Sequence, residues 1–144
     1  MYTSAPLDRD LEVTGPIEVI LYAASSARDT DFAIKLVDVF PDGYAQNLAD
    51  GILRARYRHG YDRTELLEPG EVAEYRIKLA AISNLFKAGH RIRLDVTSSN
   101  FPRFSRNLNT GGDVATDTTV RVAHQTVFHS SRYPSQVVLP VIPS

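Results

Sequence analysis

The chain has 144 residues, of which 43% are apolar and 23% are charged, and its formal net charge is −1. This size and composition are typical of one globular domain, and the charge argues against nucleic-acid binding, which usually needs a basic surface. The chain has no cysteine, which excludes disulfide scaffolds, thiolate metal sites and cysteine nucleophiles. We therefore expect a single domain over residues 1–144, without a nucleic-acid partner.

The N-terminal sequence MYTSAPLDRDLEV lacks the basic and apolar segments of a secretory signal peptide. No apolar run in the chain approaches the roughly 18 residues that a membrane span requires. We therefore expect no membrane partner, and a cytoplasmic location is favoured.

Most of the chain alternates between apolar and polar residues, which predicts β-strands with one buried face. In chain order, the predicted strands are PIEVILYAAS, FAIKLVDVF, ILRARYR, EYRIKLAAI, RIRLDVTSS, TTVRVAHQTVFHS and SQVVLPVI. In RIRLDVTSS, Ile92, Leu94 and Val96 fall on one face, and the charged residues fall on the other, which we expect to be solvated. Only SNLFKAG, residues 83–89, is predicted to be helical, with Ser83 as N-cap and Gly89 at the end.

Turn residues separate these predicted strands. Pro41-Asp42-Gly43 predicts a hairpin turn that joins residues 32–40 to residues 44–58. Residues 100–112 are predicted to form a long polar loop. Several short strands with few helices predict an all-β fold, an antiparallel β-sandwich, and the long connections favour a jelly roll.

Five aspartates lie between residues 29 and 51, namely Asp29, Asp31, Asp38, Asp42 and Asp50. Their spacing does not match a calcium loop of the EF-hand type. We therefore interpret them as structural: Asp42 belongs to the turn, and Asp29 and Asp31 are expected to cap N–H groups before a strand. A metal site is the alternative.

Candidate catalytic residues are few. The nucleophile elbow G-x-S-x-G is absent from the sequence. His124 and His129 fall on opposite faces of a predicted strand and are poor joint metal ligands, and His90 is expected to pack against a loop. A triad of His90, Asp95 and Ser98 or Ser99 can be drawn, but such residues are too common to identify a site. We assign no catalytic residue, no metal and no cofactor.

Arg54, Arg56 and Arg58 alternate along the predicted strand ILRARYR. We interpret them as a solvated strand face that discourages aggregation at a sheet edge. The alternative is a docking surface for an acidic partner.

The loop SSNFPRFSRNLNTGG is the most site-like stretch, because it combines aromatic, arginine and amide side chains in a mixture that suits an interface. The same composition also suits a loop whose Asn and Ser side chains bind its own backbone. The candidate interface or binding residues are Asn100, Phe101, Arg103, Phe104, Arg106, Asn107 and Asn109.

Several long stretches carry a family resemblance, including DTDFAIKLVDVFPDG, GHRIRLDVTSSNFPRFSRNLNTGG and YPSQVVLPV. They resemble the C-terminal domain of the cocaine esterase-like hydrolases, a group that includes X-Pro dipeptidyl-peptidases and α-amino acid ester hydrolases. The resemblance runs from Tyr2 to about Pro143. It implies a jelly roll, similar in fold to galactose-binding-like modules, that is itself non-catalytic.

In that family the Ser-His-Asp triad belongs to an α/β-hydrolase domain upstream, so the resemblance places no catalytic residue on this chain. Asp29, Asp31 and SSNFPRF match the family only as structural signatures. The implied role is to support a serine hydrolase acting on an ester or peptide bond, to shape its active-site region and to promote homo-oligomers. The alternative is a free-standing carbohydrate- or ligand-binding module that uses Phe101 and Phe104 as its aromatic surface.

The family's C-terminal domain usually begins some tens of residues before the position that matches Tyr2. The resemblance therefore also predicts a jelly roll that lacks its first strands.

Overall fold

The computed structural model describes residues 1–113 and 115–143, and nearly all of its regular structure is β. A 3-10 helix covers Ala55–Tyr57, and no helix of the described part is long and apolar enough to cross a membrane. The strands, numbered in chain order, are β1 Tyr2–Thr3, β2 Leu11–Ser25, β3 Asp31–Val39, β4 Ala45–Arg54, β5 Ala73–Phe86, β6 Arg91–Thr97, β7 Gln125–Phe128, β8 Gln136–Val138 and β9 Val141–Ile142.

These strands form two antiparallel sheets. The first has the order β1-β6-β3-β4, and in the second β5 pairs with one edge of β2 while β7, β8 and β9 share the other edge. Alternate residues of the long strands form one apolar core between the sheets, which confirms the predicted antiparallel β-sandwich. The largest buried members are Ile17, Leu21, Phe32, Ile34, Leu36, Tyr75, Ile77 and Phe86.

The sandwich is closed along one side and open along the other. Strands β4 and β5 approach so closely at Gly51 that a Cβ there would lie 3.0 Å from the carbonyl oxygen of Lys78. At the opposite side, between β1–β6 and β7–β8, a cleft of about 460 Å³ separates the sheets. Its lining is mainly apolar and includes Val19, Leu94 and Val127. We call this space the open cleft.

The predicted hairpin is confirmed. Strands β3 and β4 pair, and the turn between them contains Gly43 with φ +93°. The Asp42 carboxylate accepts a hydrogen bond from the N–H of Tyr44 at 2.9 Å, as its assignment to the turn implies.

The helix predicted over residues 83–89 is wrong. Strand β5 continues to Phe86, which pairs with Leu11 of β2, and only a turn follows before β6. Phe86 is fully buried, so pairing along the long strand β2 and burial in the core outweigh the local helical signal. The strand predicted at TTVRVAHQTVFHS is also shorter than expected. Within that stretch, only Gln125–Phe128 forms a strand, which pairs with β2.

Strand β6 has the predicted facing. Ile92, Leu94 and Val96 pack against the core. On the other face, Arg93 and Asp95 are each only 23% exposed and lie 3.2 Å apart as an ion pair, so this face is less solvated than predicted.

Leu36 and Leu94 are cross-strand partners, which makes them a matched pair for a stability test. Leu36 is fully buried, whereas Leu94 also lines the open cleft. Leu36→Ala is expected to lower the free energy of unfolding by about 2–5 kcal/mol, because it leaves a cavity in the core. Leu94→Ala is expected to cost less, since its site already adjoins open space. Urea melts measure both values, and equal losses would contradict an open cleft beside β6.

Candidate functional site

Two buried carboxylates lie at the start of β3. Asp29 precedes the strand, Asp31 is its first residue, and both side chains are almost completely shielded from solvent. The strand register places Asp31 directly opposite Arg54, the last residue of β4. A buried carboxylate without a partner is strongly unfavourable, so both aspartates require donors here.

Each aspartate binds one arginine. Arg54 donates to both oxygens of Asp31, from Nε at 2.9 Å and from Nη2 at 3.1 Å. Arg56 donates to Asp29 from Nε at 2.8 Å and from its backbone N–H at 3.0 Å. The hydrogen bonds from Arg54 to Asp31 also raise the pKa of Arg54 above its ordinary value.

Asn107 connects both ion pairs to the long loop. Its side chain is buried, and Nδ2 donates to Asp29 at 3.0 Å and to Asp31 at 2.9 Å. Its Oδ1 accepts the backbone N–H of Asn109 at 2.9 Å. We call Asp29, Asp31, Arg54, Arg56 and Asn107 the aspartate–arginine cluster. Its two carboxylates and two guanidinium groups cancel in charge.

Further contacts hold the loop on either side of Asn107. Arg56 Nη2 donates to the carbonyl oxygen of Gly112 at 2.8 Å. Near the start of the loop, Asn100 Nδ2 donates to Asp50 at 3.3 Å, and Arg103 forms an ion pair with the same carboxylate at 3.3 Å. Residues 100–112 are therefore tied to β4 and to the residues that flank it at several points.

The predicted row of solvated arginines is wrong. Strand β4 ends at Arg54, and Arg56 lies in the 3-10 helix. Both guanidinium groups turn towards the buried aspartates, and the largely buried Arg58 donates to the carbonyl oxygens of Ala55 and Glu65. Alternation in the sequence placed the three arginines on one face of a strand, which was predicted to face solvent. Arg54 and Arg56 are instead largely buried, because they neutralise the buried carboxylates.

The capping role predicted for Asp29 and Asp31 is met by Asp29 alone among the described contacts, and it is only part of what Asp29 does. Asp29 accepts one backbone N–H, from Arg56, and the other contacts of both aspartates are to side chains. Over residues 1–113 and 115–143, no group of three or more His, Cys, Asp or Glu is arranged to hold a metal ion.

A second buried polar group was not predicted. His90 Nδ1 lies 2.8 Å from Asp38 Oδ1, Asn84 Nδ2 donates to the other oxygen at 3.3 Å, and the ring of Phe40 packs on His90 with centroids 4.3 Å apart. The triad that could be drawn with Asp95, which was not assigned as a site, does not form, since His90 binds Asp38. His90 packs in a turn, as predicted, but its carboxylate partner could not be identified from spacing.

The seven candidate loop residues divide into three groups. Asn100, Asn107 and Asn109 bind the protein itself, the last donating from Nδ2 to the carbonyl oxygen of Arg121 at 3.0 Å. Arg103 binds Asp50 and lies over the half-buried ring of Phe104, 5.6 Å from its centroid. The two remaining side chains face solvent: Phe101 is 68% exposed and Arg106 is exposed. The amides thus anchor the loop, and Phe101 and Arg106 are presented outward.

The aspartate–arginine cluster can be tested by removing one partner. Asp31→Ala is expected to lower the free energy of unfolding by about 3–5 kcal/mol, because Arg54 then lacks its carboxylate in a largely buried position. The double variant Asp31→Leu/Arg54→Met is expected to recover much of this loss, since no charge remains unpaired. Urea melts provide the measurement, with exposed Asp8→Ala as the control at about 0.5 kcal/mol or less. Equal losses for Asp31→Ala and Asp8→Ala would show that the cluster is not structurally important.

Sequence comparison relates the chain to larger enzymes. It is 46% identical over 143 residues to cocaine esterase of Rhodococcus sp. (strain MB1 Bresler). It is 35% identical over 158 residues to a putative serine esterase of Mycobacterium bovis (strain ATCC BAA-935 / AF2122/97). These alignments cover 98% of this chain but only 25% and 23% of the two relatives.

Solved structures agree with this relationship. An aminopeptidase from a marine sediment archaeon, Thaumarchaeota archaeon, matches 99% of this chain with a TM-score of 0.95 and 34% identity. An α-amino acid ester hydrolase matches 98% of it with a TM-score of 0.94 and 29% identity. The match covers 25% of each of those chains.

The family assignment follows from residues 1–138, which match the X-Pro dipeptidyl-peptidase C-terminal non-catalytic domain. This match includes both the aspartate–arginine cluster and the loop that it anchors. The chain spans about a quarter of the length of the curated relatives. It belongs to the family of X-Pro dipeptidyl-peptidase C-terminal non-catalytic domains found in cocaine esterase-like hydrolases.

Proposed function

We propose that this chain acts as the supporting domain of a serine hydrolase whose catalytic α/β-hydrolase domain lies elsewhere in a longer protein. The relatives named as a cocaine esterase and a putative serine esterase favour an ester or related acyl bond as the substrate of that protein. The observation that carries the supporting role is the buried cluster, which holds a long loop rigidly while Phe101 and Arg106 stay exposed.

The loop is well suited to bind another domain. Ordering a flexible loop during association costs free energy, and here the amides of Asn100, Asn107 and Asn109 order it beforehand. Aromatic and arginine side chains are enriched at the centres of interfaces. We therefore propose that the candidate residues act in two ways: the three amides position the loop, and Phe101 and Arg106, with Arg103 and Phe104 beside them, contact the catalytic domain.

The open cleft supports a second contact. It is lined by apolar residues of both sheets, and on its β6 side the N-terminal segment pairs along the edge through β1 and Ser4 but reaches no further than Leu94. Apolar surface of this kind is normally covered in a stable assembly. We propose that in the longer protein further polypeptide covers the cleft and completes the sandwich, and that a second copy covers it when this chain is alone.

Light scattering tests this association. The purified chain is expected to have a mass that rises above that of one copy as its concentration increases. A monomer at all concentrations that also binds no hydrophobic dye would contradict the proposed cover of the cleft.

The supporting role can be tested in a fusion enzyme. The matching 25% of Rhodococcus cocaine esterase is replaced by this chain, to which it is 46% identical. We expect the fusion to keep its rate of ester hydrolysis and its thermal midpoint, and the enzyme without this segment to lose both. The isolated chain serves as a control and is expected to hydrolyse p-nitrophenyl acetate no faster than buffer. Equal activity and stability of the truncated enzyme and the fusion would contradict the proposal.

A further inference from the structure

Three exposed arginines are held around the anchored loop, and we call Arg28, Arg106 and Arg121 the arginine apex. Arg106 lies between Ser105 and Asn107. Both of these neighbours are held in place, since the exposed Ser105 accepts from Arg54 Nη2 at 3.5 Å and the buried Asn107 binds the aspartates. Arg106 is therefore directed outward from a fixed base.

The other two arginines are attached to the same loop. The backbone N–H of Arg121 donates to the carbonyl oxygen of Leu108 at 2.9 Å, and its own carbonyl oxygen accepts from Asn109. The Cβ of Arg28 lies 3.3 Å from the position that a Cβ on Gly111 would occupy. All three arginines thus adjoin residues 105–112.

The arginine apex places three positive charges beside the loop in a chain whose net charge is −1. One exposed carboxylate, Glu68, lies on the Arg28 side, since the N–H of the preceding Leu67 donates to the Arg28 carbonyl oxygen at 2.7 Å. Within residues 1–113 and 115–143, the side chains of these three arginines form no ion pair and no hydrogen bond. Arg54, Arg56, Arg58 and Arg93, by contrast, are each paired with a carboxylate. The buried aspartates beneath it are already neutralised by Arg54 and Arg56.

Two acidic residues follow the loop, and both are engaged in their own turn. The Asp113 carboxylate accepts the N–H of Ala115 at 2.9 Å. Asp117 accepts the Thr110 hydroxyl and the N–H of Thr119, and the bond from Thr110 lowers the pKa of Asp117. Among the residues that the structure describes, neither carboxylate forms an ion pair with the arginine apex, so both reduce its charge only from a distance.

We infer that the arginine apex is the electrostatic contact through which this domain binds a carboxylate-bearing surface of the catalytic domain. This inference rests on the proposed supporting function and names the chemistry of the partner surface. Guanidinium groups form bidentate hydrogen bonds with carboxylates, and a rigid base lowers the entropy lost on binding. Phe101, which is 68% exposed on the same loop, adds apolar contact area. A protein surface fits this combination better than a nucleic acid does, because the chain as a whole is slightly acidic.

The test uses the fusion enzyme with two matched triple variants. One carries Arg28→Gln, Arg106→Gln and Arg121→Gln, and the control removes three exposed positive charges away from the loop and the open cleft: Arg9→Gln, Lys78→Gln and Lys87→Gln. The rate of protease cleavage at the junction between the segments measures how tightly they are held. In dilute buffer, the variant of the arginine apex is expected to be cleaved about tenfold faster than the unmodified fusion, and the control at an unchanged rate.

Salt provides a readout that general destabilisation would not reproduce. Raising NaCl from about 50 mM to about 500 mM shortens the range of charge interactions and is expected to speed cleavage of the unmodified fusion. The variant of the arginine apex is expected to lose this salt dependence, and its circular dichroism spectrum as an isolated chain is expected to stay unchanged.

Three results would overturn the inference. Equal cleavage of the two triple variants would show that the arginine apex makes no special contact. Binding of DNA or RNA by the isolated chain at physiological salt, lost in the same variant, would assign the arginines to phosphate instead. If the unmodified fusion is no more resistant to unfolding than the truncated enzyme, the supporting function itself fails, and this inference fails with it.

Discussion

The burial of Asp29 and Asp31 is the constraint on which the site depends. A carboxylate removed from water without a partner is unfavourable by several kcal/mol, so the positions of its donors are not free to vary. Here the donors come from the end of β4, from the 3-10 helix and from the long loop. One electrostatic requirement therefore joins three segments that are distant in the sequence.

The same requirement also fixes the side chains that the loop exposes on the surface. Loops of this length are commonly mobile and variable. In this protein the loop is fixed from beneath by amides and a guanidinium group, so the side chains that point outward have defined positions. The sandwich complements this arrangement, because it is closed tightly at Gly51 and open at the cleft. A rigid loop and an uncovered apolar cleft are features expected of a domain that packs against the rest of a larger protein.

Local patterns predicted much of the fold. The alternation in β6 and the Pro41-Asp42-Gly43 turn depend on neighbouring residues only, and both were assigned correctly. The segment ending at Phe86 was assigned wrongly, because its conformation is decided by pairing with β2 some 70 residues away in the chain. The family resemblance also identified the chain as a non-catalytic domain, which motif chemistry alone could not do.

The candidate site was predicted less completely. The loop was recognised from its composition, but its anchor was not. Asn107 lies 76 and 78 residues from the aspartates that it binds, and a contact over such a separation cannot be predicted from local sequence patterns. Alternation placed Arg54 and Arg56 on one side without indicating whether that side is covered. Two aspartates and two arginines spaced alike, as D-x-D and R-x-R, were the available signal, since matched spacing at the ends of two paired segments permits two neighbouring ion pairs.

The buried cluster is proposed to order the loop, and amide hydrogen exchange can measure that order residue by residue. The N–H of Asn109 binds Asn107 Oδ1 at 2.9 Å, so this amide reports on the anchor itself. In Asn107→Leu, we expect Asn109 and its neighbours to exchange at least about tenfold faster, since hydrogen bonds to ionised groups are lost, while the core amides of Ile34 and Leu36 keep their protection. Unchanged protection of the loop in this variant would show that the cluster does not order it.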